Sequence, residues 1–365
     1  MTIIFAGGGT GGHLYPGIAI ARAMVKIDPP VEPFFIGAKR GIEKDVLPGA
    51  GFEYELLDLH PLYRARPWEN WKTLRGALSA WRKIGERVKA YKPDAVVGTG
   101  GYASGLTLAY ATVKKIPFAI QEQNTYPGLT TRFFSRYASQ IHLGFPEARA
   151  LLKPSAKAKI FDSGNPIEPP PADSRDKRAG RAAWEFPAEG GTVLLVYGGS
   201  QGSQAMNEAV AGWIRSGIPD GLYIIWATGR GNHEKYADLE SARVKVRPYL
   251  SPVSDAYRAA DLALSRAGAM ATAELCAWGL PMILVPLPTA AADHQTANAR
   301  ALEAAGAAQV ILQSGMSPAM LAVAVNGLVS DPTRLAALSA HALERARPHA
   351  AEQIAQAILD LAYLK

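Results

Sequence analysis

The sequence predicts an α/β chain of two parallel-sheet domains, on three observations. Its 365 residues exceed what one hydrophobic core usually organises. Short apolar runs alternate with helical stretches from end to end, as in parallel strands joined by crossover helices. A strand also empties into glycines near the start of each half: Thr2 to Ala6 into Gly7-Gly8-Gly9-Thr10-Gly11-Gly12, and Val193 to Tyr197 into Gly198-Gly199-Ser200-Gln201-Gly202-Ser203. Where such a turn restarts as a helix, main-chain N–H groups and the positive helix end face an anion. Each half therefore reads as a phosphate cradle, and two ligands are expected to meet in a cleft.

In order along the chain, the first half should hold strands at 2–6, 33–36, 95–97, 118–121 and 140–143. Pro166, Pro169, Pro170 and Pro171 then break both helix and sheet, which predicts a stiff linker over 165–175 between domains at 1–164 and 176–340. Strands of the second half are expected at 192–197, 223–227, 244–247, 262–264 and 282–285, followed by an Ala-rich helical tail that stops at Pro348.

Composition narrows the function. Hydrophobic residues make up 48%, enough for packed cores, and the lone Cys276 excludes an internal disulfide. The chain begins directly in a strand, and its strongest apolar run, 281–288, is far shorter than the ~20 residues of a spanning helix. A cytoplasmic protein with no membrane-crossing segment is expected, and no nucleic acid partner. The net charge of +7 is matched by segment 62–92 alone, which has nine basic and two acidic residues. That segment also carries Trp68, Trp71 and Trp81, which suits docking on an anionic membrane surface through Trp68, Trp71, Arg75, Trp81 and Arg82. The competing reading is a helix core face, since Trp71, Leu74, Leu78, Trp81 and Val88 recur at helical spacing.

The first glycine turn fits G-x-G-x-x-G, yet the next strand ends Phe35-Ile36-Gly37-Ala38 without the acid that would hold a nicotinamide dinucleotide's ribose. A third turn, Gly98-Thr99-Gly100-Gly101-Tyr102, should lie beside the first on one sheet edge, and two such loops suit a diphosphate on a large ligand. His13 starts the first helix at the rim. Histidine ordinarily titrates near ~6.5 and suits a general base toward an attacking hydroxyl; the alternative is a loop-bonding role. The remaining histidines show no ligand spacing and no Asp-x-Asp pair is present, so no metal and no cofactor are expected. Ser200 and the helix after it would take the second anion. Glu274, on the helix opened by Gly268-Ala269-Met270, could accept hydrogen bonds from a ribose diol or simply favour its helix's first turns. Asp293-His294-Gln295-Thr296-Ala297-Asn298 offers amides for sugar hydroxyls, although Asp293 fits a helix cap equally well.

Taken in order, Gly8–His13, 98–102, Gln121-Glu122-Gln123-Asn124, Gly164-Asn165-Pro166, 198–202 and Gly268-Ala269-Met270 with Glu274 resemble the MurG family of glycosyltransferases over nearly the whole chain. The resemblance implies the GT-B fold, two Rossmann-like domains facing each other across a cleft, with the C-terminal helix (341–365) returning to the first domain. It implies transfer of N-acetylglucosamine from UDP-N-acetylglucosamine to the 4-hydroxyl of undecaprenyl-diphosphate-linked muramyl pentapeptide, metal-free and inverting, at the cytoplasmic face of the inner membrane. The implied donor contacts are Thr10, Gly11, Gly12, Asn124, Ser200, Leu250 near the uracil, Ala269, Met270, Glu274 on the ribose, and Gln295. The acceptor diphosphate would meet Gly9, Thr10, Gly100, Gly101 and Tyr102, with His13 as base. Glu168 stands where relatives often carry an arginine for the donor phosphates, so either Glu168 points away or another cation substitutes, with Arg266 and Arg230 as candidates. Rival readings are another GT-B glycolipid transferase, a sugar-nucleotide epimerase on the same fold, and a non-catalytic nucleotide binder.

Overall fold

The computed structural model describes residues 1–59, 70–172, 174, 176–199 and 201–364, with the backbone alone for 70–75. Seven strands form the first sheet: β1 (Thr2–Gly7), β2 (Glu32–Ala38), β3 (Glu53–Leu57), β4 (Ala95–Gly100), β5 (Phe118–Glu122), β6 (Gln140–Leu143) and β7 (Lys159–Phe161). Their order is β3-β2-β1-β4-β5-β6-β7, parallel throughout. The helices of this unit are α1 (Gly11–Ile27), α2 (Glu43–Val46), α3 (Asn70–Tyr91), α4 (Gly101–Lys114) and α5 (Leu129–Phe134). Further on come α6 (Lys177–Ala182), α7 (Gln204–Ser216), α8 (Ser254–Ala259), α9 (Ala269–Ala277), α10 (His294–Ala304), α11 (Pro318–Val329), α12 (Pro332–Arg345) and α13 (Ala350–Tyr363). A second parallel sheet takes β8 (Thr192–Tyr197), β9 (Leu222–Ala227), β10 (Val244–Arg247), β11 (Leu262–Ser265), β12 (Met282–Leu284) and β13 (Ala308–Val310), in the order β10-β9-β8-β11-β12-β13.

Alternation along β1 sends Ile3 and Phe5 to one face and Ile4 to the other, and both faces are covered. Ile84 of α3, Leu108 of α4 and Phe134 of α5 pack with Ile4, Ile36, Val96 and Ile120. On the opposite face Leu14, Ile18 and Met24 of α1 pack with Ile354, Ile358 and Leu359 of α13. The last helix is thus half of one layer of the first unit, which comprises Met1–Glu168 and Arg347–Lys365; the second comprises Pro169–Ala346. In the second unit, Met206, Val210 and Trp213 of α7 join Leu321, Val325 and Leu328 of α11 over Leu194 and Val196 of β8.

Two expected boundaries shift. The stretch 341–346 stays in the second unit because α12 is continuous and anchored there: Ser339 Oγ donates to Gly279 O at 2.6 Å, and His341 Nδ1 lies 3.2 Å from Gly306 O. The expected linker begins inside the first unit's core, where Asn165 and Ile167 are buried. Strands β3, β7 and β13, which the sequence did not predict, are all sheet edges.

Candidate active site

In each sheet the strand order reverses at one place, between β1 and β4 and between β8 and β11, and ligands bind at the carboxyl ends there. At the first switch point the two N-terminal glycine loops are pressed together. A Cβ on Gly101 (φ +75°) would lie 2.1 Å from Gly8 O, and one on Gly100 (φ +96°) 2.8 Å from His13 Nδ1, so both the backbone conformation and the contact require glycine. Tyr102 lies over Gly9, its ring 2.8 Å from where a Cβ would be. Helix geometry leaves the Gly11 and Gly12 N–H groups without intrahelical acceptors, whereas His13 N and Leu14 N bond to Thr10 O at 3.2 Å each.

The Gly9 N–H is taken up inside the protein: it donates to Glu43 Oε1 at 3.0 Å, and the same oxygen accepts from Ala38 N at 2.9 Å. Glu43 is fully buried in a cage where a Cβ on Gly8, Gly37 or Gly41 would collide with it. It ties the first glycine loop to the end of β2, a role the sequence reading missed.

His13 is oriented from behind. Its Nδ1 lies 3.1 Å from Thr99 O and 2.9 Å from Gln123 Oε1, and Thr99 Oγ1 donates to His13 O at 2.7 Å. Asn124 is held by Glu122, whose Oε1 accepts from Asn124 N at 3.1 Å while its Oε2 accepts from Gly128 N at 3.1 Å.

At the second switch point a cavity of about 580 Å³ is lined by Gly198, Gly199 and Ser203 after β8, Arg266 and Gly268 after β11, and Gln295. Arg266 is its cation. Its guanidinium donates to Val285 O and Pro286 O at 3.0 Å each and to Ser203 Oγ and Gln313 Oε1 at 2.6 Å each, all neutral acceptors, and burial lowers its pKa. Gln295 Oε1 accepts from Leu287 N at 3.0 Å, whereas His294 turns to Ala291 O of its own turn. Glu274, one helix turn beyond Ala269 and Met270, receives the Tyr257 hydroxyl on Oε2 at 2.6 Å, and Tyr257 sits 3.3 Å from the hydroxyl of Tyr197, which lines the cavity. Arg230 lies 5.4 Å over the ring of Tyr249, Leu250 is buried, and Glu168 is exposed.

Of the expected residues, the structure gathers Thr10, Gly11, Gly12, His13, Gly100, Gly101 and Tyr102 at the first switch point. Gln295 lines the second cavity, and Ala269 and Met270 begin the helix whose Gly268 N-cap opens onto it. Ser200 and Trp68 lie outside the described residues, as do the side chains of Trp71 and Arg75. Trp81 is half-buried on the core of the first unit, 4.9 Å from the ring of Tyr110, in agreement with the core-face reading of that segment. Arg82 is exposed and pairs with Glu86 at 3.0 Å. Missed by the sequence reading is an exposed group around α5: Leu129, Phe133 and Tyr137 with Arg136 over the Phe133 ring at 5.3 Å and Arg132 over Tyr126 at 5.6 Å. Among the described residues no cluster of three or more His, Cys, Asp or Glu could hold a metal ion, and no helix is long and apolar enough to cross a membrane.

Comparison with known proteins matches residues 3–143 to the glycosyltransferase family 28 N-terminal domain and residues 193–354 to the family's C-terminal domain. The chain is 41% identical, over 99% of its length and 96% of the relative, to the UDP-N-acetylglucosamine–N-acetylmuramyl-(pentapeptide) pyrophosphoryl-undecaprenol N-acetylglucosamine transferase of Salinibacter ruber. It is 36% identical to the protein of that name from Acetivibrio thermocellus, over 99% of this chain and 98% of that one. Among solved structures, Acinetobacter baumannii MurG superposes with a TM-score of 0.78 at 28% identity, covering 98% of this chain and 99% of that one.

Proposed function

The chain belongs to glycosyltransferase family 28, and we propose that it works by a single inverting displacement, without a metal ion, docked on an anionic membrane surface at its cytoplasmic side. The activity is transfer of N-acetylglucosamine from UDP-N-acetylglucosamine to the lipid-diphosphate-linked muramyl pentapeptide, the step of peptidoglycan synthesis that converts lipid I to lipid II.

In this reading the joined loops of the first unit take the acceptor diphosphate through the helix N-termini at Gly11–Gly12 and Gly101. Thr10, Gly100 and Tyr102 complete that cradle, while Gly9 serves by its lack of a side chain rather than by its N–H. His13 accepts the proton of the muramyl 4-hydroxyl as that oxygen bonds to the anomeric carbon and the bond to the β-phosphate oxygen breaks. Negative charge then builds on UDP. The second cavity meets it with the Gly268 helix N-terminus and Arg266, whose guanidinium has only neutral hydrogen-bond partners among the described residues and so keeps its field for an anion. Arg266 therefore takes the place left by Glu168. Glu274 and Gln295 would hold the ribose and the sugar, Leu250 the uracil, and Thr10, Gly11, Gly12 and Asn124 the donor from the side of the first unit.

The observation that carries the catalytic part is His13 standing where both glycine loops meet, its ring backed by Thr99 O and Gln123. Transfer of radiolabelled N-acetylglucosamine to lipid I in detergent with EDTA tests it. Label should enter the lipid phase despite the chelator, and His13→Ala should lower the rate by roughly 10²–10⁴-fold, the usual worth of a general base. Loss of transfer in EDTA overturns the metal-free course, and an unimpaired His13→Ala overturns the base.

A further inference from the structure

A buried amide chain runs behind the imidazole. Asn165 Nδ2 donates to Gln123 O at 3.0 Å, and Gln121 Nε2 donates to Asn165 Oδ1 at 3.1 Å. Among the described residues Gln123 Nε2 in turn faces only oxygens: Thr99 O at 2.8 Å, Gln121 O at 3.1 Å and Gln121 Oε1. Rotating the Gln123 amide by half a turn would set its oxygen against those three acceptors, so the arrangement is determined and Oε1 must face His13. Gln121, Gln123 and Asn165 are all buried, which makes any mispairing costly.

The consequence falls on His13 Nδ1, whose two neighbours, Gln123 Oε1 at 2.9 Å and Thr99 O at 3.1 Å, can only accept. Nδ1 must therefore carry a hydrogen. In a neutral ring the lone pair then resides on Nε2. We propose that Gln123 is the positioning residue of the base: with Thr99 O it holds His13 as the Nδ1–H tautomer, so that Nε2 is the atom that takes the acceptor's proton. The proposal rests on the reading of His13 as the base, and it assigns a function to the second glutamine of the Gln121-Glu122-Gln123-Asn124 motif. The chain also reaches Asn165, three residues before the first unit's main stretch ends at Glu168.

The tautomer is measurable apart from turnover. In the full-length protein labelled with 15N-histidine, long-range 1H–15N correlation distinguishes the two ring nitrogens, and the His13→Ala spectrum assigns the signal. Wild type should show Nδ1–H at His13. Gln123→Met, which keeps the length and removes donor and acceptor, should give a mixed tautomer signal and lower kcat roughly 10- to 100-fold by misplacing the base, with KM for UDP-N-acetylglucosamine within about twofold. An Nε2–H signal in wild type overturns the proposal whatever His13 does, and it needs no variant to fold. An unchanged tautomer and kcat in a folded Gln123→Met also overturns it. Full activity of His13→Ala beside an Nδ1–H signal overturns the base reading instead, and upholds Gln123 as the residue that sets the ring.

Discussion

The Tyr257 hydroxyl donates to Glu274 Oε2 at 2.6 Å, and burial, together with Tyr197 and Glu274, holds that phenol well above the ordinary tyrosine pKa. It therefore remains a donor at any working pH and presents one carboxylate oxygen in a fixed direction. Hydrogen bonds to charged groups contribute about 1.5–3 kcal/mol. If Glu274 grips the ribose, Tyr257→Phe should raise KM for UDP-N-acetylglucosamine roughly tenfold and leave kcat near wild type; steady-state kinetics with saturating lipid I checks it, and an unchanged KM counts against the ribose role. The place of Glu274 on α9 was legible in the sequence because it follows a glycine turn on a helix start, a local pattern. Tyr257, Gln123 and Glu43 were not. Gln123 meets His13 across 110 residues and Glu43 meets Gly9 across 34, and no spacing rule reports a contact that exists only once the sheet has brought β1, β2 and β5 into order.

At the scale of elements, the interior strands were legible because a strand covered on both faces is apolar throughout. The edges were not. Strand β3 reads Glu53-Tyr54-Glu55-Leu56-Leu57, with Glu55 paired to Lys83 at 3.4 Å and also to Arg87, which suits a sheet edge and hides the strand in a polar background. Helix α3 left two readings open for a related reason: periodicity marks an amphipathic helix without saying which aromatic faces in. Trp81 packs on the core, and exposed apolar groups with arginines lie around α5. Membrane docking should therefore depend on α5. Each basic residue near an anionic surface contributes about 1 kcal/mol, so Arg132→Glu with Arg136→Glu should lower binding to phosphatidylglycerol vesicles by more than tenfold in a sedimentation assay. Trp81→Phe should bind as wild type. Equal loss in both variants would return the docking face to the inward side of α3.

Across the whole molecule, each unit has its own core and its own chemical handle, so acid and nucleotide should act on different halves. His142 of β6 is buried in the first unit, stacked on Phe161 at 4.9 Å and hydrogen-bonded to Ser163 and Gln140, and burial lowers its pKa to about 4. An unfolded histidine titrates near ~6.5. Between those values the unfolded chain binds a proton that the folded unit refuses, so stability falls as the pH drops from about 6.5 to about 4, by at most about 3 kcal/mol, and the loss is complete below. The second unit has the cavity proposed for the donor instead, and nucleotide bound there at a hundred times its Kd should stabilise that unit by about 2.7 kcal/mol. Hydrogen exchange of the full chain, corrected for intrinsic rates, separates the two effects. Acidification from pH 7 to pH 5 should weaken protection in β1 and β4 more in wild type than in His142→Gln, whereas UDP should strengthen β8 and β11. If UDP left β8 and β11 no better protected than without it, the nucleotide would have no handle at the second switch point, and Arg266 could not be the cation that holds it.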